Sequence, residues 1–382
     1  MSLPLSVRLA ALSATAFAGI GIAMPYLPVW LESRGVAASL IGLFVALPTL
    51  ARIVAAPPLL GLTDRGVSAR RLIVCAQLGV AAAYAALVAA PDPLVIALVV
   101  IAAAIAQAPI VPASELVTTD AVREHRGIDY GRIRIFGSLA FLATTILMGW
   151  LLEALPPDAI PIGVAALALV GALVGLGAPA TSSERDTGVG ATARTPRLPR
   201  PLVLAIAAAA MVQASHAGVY AYGTLHWKGL GFPGLAVGWL WAVGVIAEIL
   251  LFVLVGRQVG KVGGFGLIVI GGLAAFLRFG GLALDPGLGA TFLLQALHGL
   301  SFGATHLGAM AAIVALAPPG TRGRAQGALA GASALAMSLA MVACGPLYAA
   351  GGSLAFLAVA PLGLMGAAIA WRASAGRRLT QS

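Results

Sequence analysis

Seven ionisable side chains stand inside long apolar runs of this sequence: Arg52, Glu115, His216, Glu248, Arg278, His298 and His306, with Arg134 at the mouth of a further run. Charge is costly in hydrocarbon, so such residues face a cavity or a partner and mark substrate and ion paths. Glu248 is far from either end of its run. A carboxylate at that depth holds a proton unless a cation neutralises it, so a cation that approaches and withdraws, Arg278 or Arg52, would make the proton bind and leave. Proton coupling requires that behaviour; a fixed Glu–Arg pair tying two helices together would use the same residues. His298 and His306 are eight positions apart, which on a helix leaves them about 80° apart on one broad face. Imidazoles there can relay protons or contact substrate. They can equally be hydrogen-bonded packing groups, the commoner role for a single histidine such as His216. Arg52 and Arg278 keep their charge, and a guanidinium grips a carboxylate with two parallel N–H groups. They hold an anionic substrate or neutralise Glu248, and residue type alone leaves both open.

The elements that position these residues are membrane helices. Of 382 residues, 60% are hydrophobic and 9% charged, and the mean hydropathy is +1.00; soluble domains carry about 25% charged residues. Such a chain cannot cover a water-facing globule, which excludes a cytosolic enzyme, a secreted disulfide scaffold and a disordered chain. Cys75 and Cys344 both sit in apolar runs, leaving no disulfide framework and no CxxC metal site. No Walker loop, GxGxxG after a strand, HExxH or nucleophile elbow stands in a fitting context. No cofactor, metal or ATP site is therefore expected, and an ion gradient remains as the energy source.

A spanning helix needs about 20 largely apolar residues. Twelve candidates fit, at 9–31, 39–60, 72–90, 94–117, 134–152, 159–178, 202–225, 235–256, 264–284, 288–317, 327–349 and 353–371. The first is longer than a signal-peptide core and is expected to stay as a membrane helix. With the N-terminus cytoplasmic, 19 of the 23 Lys and Arg residues fall in cytoplasmic segments, Arg34 and Lys228 fall opposite, and Arg52 and Arg278 fall within spans. This positive-inside bias, not a nucleic-acid footprint, accounts for the net charge of +10. A multi-pass protein of the cytoplasmic (inner) membrane is expected, both termini cytoplasmic. The Pro-rich, basic stretch 179–200 reads as a cytoplasmic linker between six-helix bundles at 1–178 and 201–382.

The two halves repeat. Gly35, Gly42 and Arg52 have the spacing of Gly231, Gly238 and Glu248, and in that register Ala46, Ala51 and Ile53 fall on Ala242, Ala247 and Ile249. A second register sets Gln107 and Glu115 on His298 and His306. Duplicated halves with a site at the repeat interface are a common transporter design. The repeat puts Arg52 and Glu248 at equivalent depths on helices 2 and 8, and Glu115 and His306 on helices 4 and 10. Pro109 and Pro112 weaken the ladder of helix 4, as a bend used in rocking or as a fixed kink. Phe141, Tyr220, Tyr222, Trp239 and Trp241 make an aromatic wall for a ring-bearing substrate, or membrane packing. Trp30 and Trp227 fit the interfacial belt.

The segment Asp129-Tyr130-Gly131-Arg132-Ile133-Arg134-Ile135-Phe136-Gly137-Ser138 resembles the helix 4–5 loop signature of the proton-symporter branch of the major facilitator superfamily that contains lactose permease. Gln213–Ala217, Gly238-Trp239-Leu240-Trp241 with Ala247-Glu248, Leu277–Gly280, and Leu297-His298 with Thr305-His306-Leu307 bring the resemblance closer to the phenylpropionate permease group. It covers nearly the whole chain. It implies an all-α membrane protein of twelve transmembrane helices in two pseudo-symmetric six-helix bundles, the major facilitator fold, working as a monomer. Glu115, Arg134, Phe141 and Glu248 match the acid of helix 4, the Arg of helix 5 with its following aromatic, and the acid of helix 8 in a sugar site. Arg278 and His298 match a proton-coupling pair. Ser301 stands where that pattern has an acid three residues after the histidine, so coupling would use Glu248, His298 or His306. Asp64 and Arg65 depart from the Gly-x-x-x-Asp-Arg pattern of the helix 2–3 loop, Leu60 standing at the glycine position. With Asp129 and Arg132 they are expected to gate.

These readings converge on a secondary active transporter, not an enzyme, that symports protons with a small organic solute by alternating access. Glu248, His298, His306 and Arg278 are expected to couple the proton. Arg52, Glu115, Arg134, Phe141, His216 and Trp241 are expected to bind substrate. The phenylpropionate resemblance points to an aromatic carboxylate. Alternatives are a sugar or nucleoside symporter, a proton-driven drug exporter and, from another class, a membrane sensor carrying a soluble output domain. The expected partners are substrate, protons and lipid, without nucleic acid.

Overall fold

The computed structural model describes residues 3–125, 127–179, 197–255 and 262–379, and every regular element among them is helical. Twelve helices are long and apolar enough to cross a membrane: α1 (Leu5–Ser33), α2 (Ala38–Asp64), α3 (Ala69–Val88), α4 (Pro93–Glu124), α5 (Tyr130–Leu151), α6 (Ala159–Leu176), α7 (Arg200–Gly229), α8 (Gly234–Leu254), α9 (Gly264–Leu282), α10 (Leu288–Leu316), α11 (Arg322–Gly351) and α12 (Leu354–Ala375). Each coincides with an apolar run of the sequence. Several extend beyond it, because caps rather than hydropathy stop a helix. Ser68 accepts from the Arg71 N–H at the start of α3, and Asp92 accepts from Leu94 and Val95 at the start of α4.

Three helices are interrupted. α4 turns at Ala108 and Pro109, where proline lacks the N–H that would continue the ladder. α7 turns at Ser215 and His216. There Ser215 Oγ and His216 Nδ1 approach the carbonyls of Val212 and Gln213 and compete with backbone donors. α10 turns at Leu297 and widens into a π-helical stretch, Gly299–Ala304. Such widened turns concentrate at functional sites.

The chain forms two compact units. Unit 1 holds α1, α3 to α6, α2 from Leu47 onward, and Pro233–Trp239. Unit 2 holds α7, α9 to α12, α8 from Leu240 onward, and Ala37–Ala46. Within unit 1, α1 packs along α5 and α6, and α3 along α4 and α6. Within unit 2, α7 packs along α11 and α12, and α9 along α10 and α12. The neighbours are the same six helices later, so the duplication read from residue spacing is also a duplication of packing. Small residues permit the closest approaches: a Cβ on Gly363 of α12 would lie 2.6 Å from the carbonyl oxygen of Gly272 on α9.

The repeated glycines keep equivalent places. Gly35 and Gly231 follow α1 and α7 with φ of 76° and 81°, a left-handed turn that glycine adopts without strain. Gly42, within unit 2, lies against the α11 backbone at Met341, and Gly238, within unit 1, against the α5 backbone at Ile146. Residues 180–196, which make up most of the expected linker, lie outside the described residues.

Candidate functional site

In unit 2 a buried polar network forms where α7 and α10 are interrupted. Arg278 on α9 is 2% exposed. Its Nε and Nη2 donate to Gln295 Oε1 at 3.3 and 2.7 Å, and its Nη1 donates to His298 Nδ1 at 2.9 Å and Ser301 Oγ at 3.2 Å. The Gln295 amide donates to the Leu240 carbonyl at 3.1 Å, which fixes its orientation. Ser301 Oγ lies 3.1 Å from His216 Nε2, and His216 Nδ1 lies 3.2 Å from the carbonyls of Val212 and Gln213. On the far side of His298, Nε2 lies 3.7 Å from Glu248 Oε2.

Donor chemistry assigns the protons. A guanidinium donates and never accepts. His298 Nδ1 therefore presents its lone pair to Arg278, and the neutral ring carries its proton on Nε2, towards Glu248. Ser301 accepts from Arg278, so its own O–H is free to go to His216 Nε2. His216 then carries its proton on Nδ1, where two carbonyls receive it. One guanidinium is thus held by two neutral imidazoles in opposite tautomers, one directly and one through Ser301. A proton entering His298 at Nδ1 has to displace Arg278.

The other expected residues of unit 2 surround this network. Trp241 is buried, donates from Nε1 to Thr224 Oγ1 at 2.9 Å, and stacks on Tyr220 with ring centroids 6.0 Å apart. Tyr220 neighbours the His216 ring at 5.8 Å. His306 is exposed and stacks on Phe302 at 6.2 Å, apart from the hydrogen bonds around Arg278.

Unit 1 holds the remaining candidates. Arg52 of α2 is half-buried and donates from Nη1 to Gln107 Oε1 of α4 at 3.5 Å. Glu115 of α4 and Arg134 of α5 pair at 3.9 Å, with side chains 44% and 36% exposed, and the Arg134 guanidinium lies 4.0 Å over the Phe17 ring. With Ser13, Ser114 and Thr118 they line a cleft with room for little more than a water molecule. Phe141 is buried further along α5. Of the expected gating residues, Asp129 caps α5, accepting from the Arg132 N–H at 2.8 Å. Asp64, Arg65 and the Arg132 side chain are exposed and make no ion pair among the described residues. No cluster of three or more potential metal ligands occurs among the described residues.

Gln295 and Ser301 complete the unit 2 network, and residue type did not place them in the site. Their signal is the spacing: Gln295, His298 and Ser301 are polar positions three apart in a largely apolar run.

The sequence matches the MFS_1 like family over residues 7–358. It is 27% identical over 308 residues to the probable 3-phenylpropionic acid transporter of Escherichia coli (strain K12), covering 79% of this chain and 80% of that one. The fold is similar to that of the nucleoside transporter NupG, with a TM-score of 0.82 at 17% identity over 98% of this chain and 99% of that one. It is also similar to a bacterial homologue of the human lysosomal transporter Spinster in an inward-facing, unoccupied conformation, with a TM-score of 0.76 at 13% identity over 97% and 96% of the two chains. With its twelve membrane-length helices, the chain belongs to the MFS_1 like family, multi-pass membrane transporters of the major facilitator superfamily.

Proposed function

We propose that this transporter symports protons with an aromatic carboxylate across the cytoplasmic membrane. It does so as a monomer, by alternating access of two six-helix bundles divided at 179–200. The observation that carries the reading is the position of His298 between Arg278 and Glu248. Its link to Arg278 exists only while Nδ1 is unprotonated. A proton that enters at Nδ1 displaces Arg278 and turns the ring into a cation that repels the guanidinium, so proton occupancy decides how α8, α9 and α10 are joined. Glu248 supplies the counter-charge for that proton.

The substrate class is supported by the relative that is named a probable 3-phenylpropionic acid transporter. Arg52 is the cation suited to the carboxylate. Arg278 is buried with four hydrogen bonds already directed at Gln295, His298 and Ser301. Arg52 is half-buried with one hydrogen bond among the described residues, at 3.5 Å, and keeps its remaining donors for an anion. The arginine-rich loops support cytoplasmic termini. A second reading, a neutral sugar or nucleoside, is favoured by the Glu115–Arg134 pair at its small cleft.

Uptake of labelled 3-phenylpropionate into proteoliposomes under an imposed proton gradient tests the proposal. Accumulation that a protonophore collapses is expected, with Glu248→Gln losing accumulation and retaining counterflow exchange. Absence of gradient-driven accumulation in the wild type overturns the coupling. Thermal stabilisation by neutral sugars or nucleosides and by no aromatic acid overturns the substrate class.

A further inference from the structure

Ser301 has no charge to give, yet it joins the two halves of the buried network. It lies in the π-helical turn of α10, is 0% exposed, and bridges Arg278 of α9 and His216 of α7. A residue in that place has to accept from a guanidinium and donate to an imidazole lone pair at once. A hydroxyl does both. A carboxylate would only accept, and would draw Arg278 away from His298. An alanine would do neither.

The surroundings of His216 explain why that donation matters. The ring is 0% exposed. From its own helix it meets Tyr220; from α9 it meets Phe279 at 5.0 Å and, through Ser301, the Arg278 guanidinium; from α10 it meets His298 at 5.4 Å and Phe302 at 6.0 Å. No carboxylate is among its described contacts. A proton on His216 would place a second cation beside Arg278 with no counter-charge, whereas a proton on His298 has Glu248 at 3.7 Å. The Ser301 O–H, aimed at Nε2, occupies the one lone pair of His216 that a proton could take.

We propose that Ser301 is a positioning residue for proton coupling: it keeps His216 neutral, holds Arg278 on His298, and so reserves the transported proton for the His298–Glu248 side. The proposal rests on the coupling reading above. Removing the hydroxyl frees His216 Nε2 for a proton that does no work. A cation on His216, with its ring 5.4 Å from that of His298, opposes the working proton, so uptake should then need more acid to engage the site, while the affinity for the organic acid, bound elsewhere, is untouched.

The experiment is the pH profile of gradient-driven uptake in proteoliposomes for the wild type, Ser301→Ala, Ser301→Thr and the double variant Ser301→Ala/His216→Phe. The alanine variant is expected to shift the half-maximal pH downward by about one unit, a tenfold change in proton affinity, with KM for the acid unchanged. Threonine, which keeps the hydroxyl, should restore the wild-type profile. The shift should vanish in the double variant, where no second imidazole competes. A folded alanine variant with the wild-type profile overturns the inference, as does a shift that persists without His216. Should the alanine variant not fold, Ser301→Cys, a weak donor of similar shape, is judged by the same two criteria. A wild type without gradient-driven uptake overturns the coupling reading instead, so the two failures are distinct.

Discussion

Arg52 and Glu248 are the same position of a duplicated scaffold carrying opposite charge. Arg52 reaches from α2 to Gln107 of α4, Nη1 to Oε1 at 3.5 Å; Glu248 reaches from α8 to His298 of α10, Oε2 to Nε2 at 3.7 Å. Each partner stands at an interruption of its helix, Gln107 just before Ala108 and Pro109 in α4 and His298 between Leu297 and the π-helical turn in α10. Duplication supplied the geometry, and divergence of two residue pairs assigned a cation with an amide to one half and an acid with an imidazole to the other. A cation with spare donors is suited to an anion. An acid beside an imidazole is suited to a proton.

Arg52→Gln should therefore weaken binding of an aromatic acid and spare its neutral amide. A charge-assisted hydrogen bond contributes about 1.5–3 kcal/mol, which corresponds to roughly a 10- to 100-fold rise in Kd. Gln107→Leu removes only the restraint on Arg52 and should have a smaller effect in the same direction. Titration calorimetry with 3-phenylpropionate and 3-phenylpropionamide checks both. An equal loss for acid and amide would place Arg52 in the scaffold rather than at the carboxylate.

His298→Asn and His298→Leu separate the two duties of the imidazole. Asparagine still offers Arg278 an acceptor but carries no proton in this pH range. It should fold normally, exchange substrate and fail to accumulate it against a gradient. Leucine leaves a buried guanidinium N–H without its acceptor, a loss of roughly 1–3 kcal/mol, visible as a lower melting temperature in detergent. Accumulation by the asparagine variant would remove His298 from the proton path.

Residue type and spacing carried much of this architecture. Apolar runs marked all twelve spans, and Gly35 with Gly231 marked equivalent left-handed turns. The interruptions of α7 and α10 were not legible. The first accompanies Ser215 and His216 side chains competing for carbonyls, the second holds Ser301 against Arg278, and neither has a proline to announce it. The partners of Arg278 were legible only as a question. Charge matching offered Glu248 and the family resemblance offered His298, while the fold supplies Gln295, His298 and Ser301, and neutral residues such as Gln295 and Ser301 in an apolar run give little warning of that role. Capping likewise hid in plain view: Asp129, expected to gate, stands at the start of α5 with its carboxylate on the Arg132 N–H.

Gly238 illustrates how tightly the scaffold is packed. A Cβ there would lie 2.9 Å from the Ile146 Cα and 3.0 Å from the Thr145 carbonyl oxygen, both backbone atoms that cannot move aside. Gly238→Val should lower the melting temperature through overpacking of about 1–3 kcal/mol. Gly323→Val is the control, since a Cβ at Gly323 meets open space. Equal stability of the two variants would mean that α8 can shift on α5 without loss.

Asp285 offers a sharper comparison, because two effects at one residue can be pulled apart. It follows α9 with φ of 50°, the one described residue other than glycine in the left-handed region, and its Oδ1 is 2.8 Å from His226 Nε2 at the end of α7. Its side chain is 43% exposed, so the pair itself should contribute no more than about 1 kcal/mol. The backbone matters as much: a left-handed conformation costs an ordinary residue about 1–2 kcal/mol and glycine almost nothing. Asp285→Gly loses the pair but relaxes the turn, so its stability should stay near that of the wild type. Asp285→Ala loses the pair and keeps the strain, and should unfold more readily than the glycine variant by roughly 1 kcal/mol. Asp285→Asn tolerates the turn and can still hydrogen-bond His226, and should resemble the wild type. Thermal unfolding of the three variants in one detergent decides the matter. A glycine variant no more stable than alanine would mean that the His226 contact, and not the backbone, holds this turn.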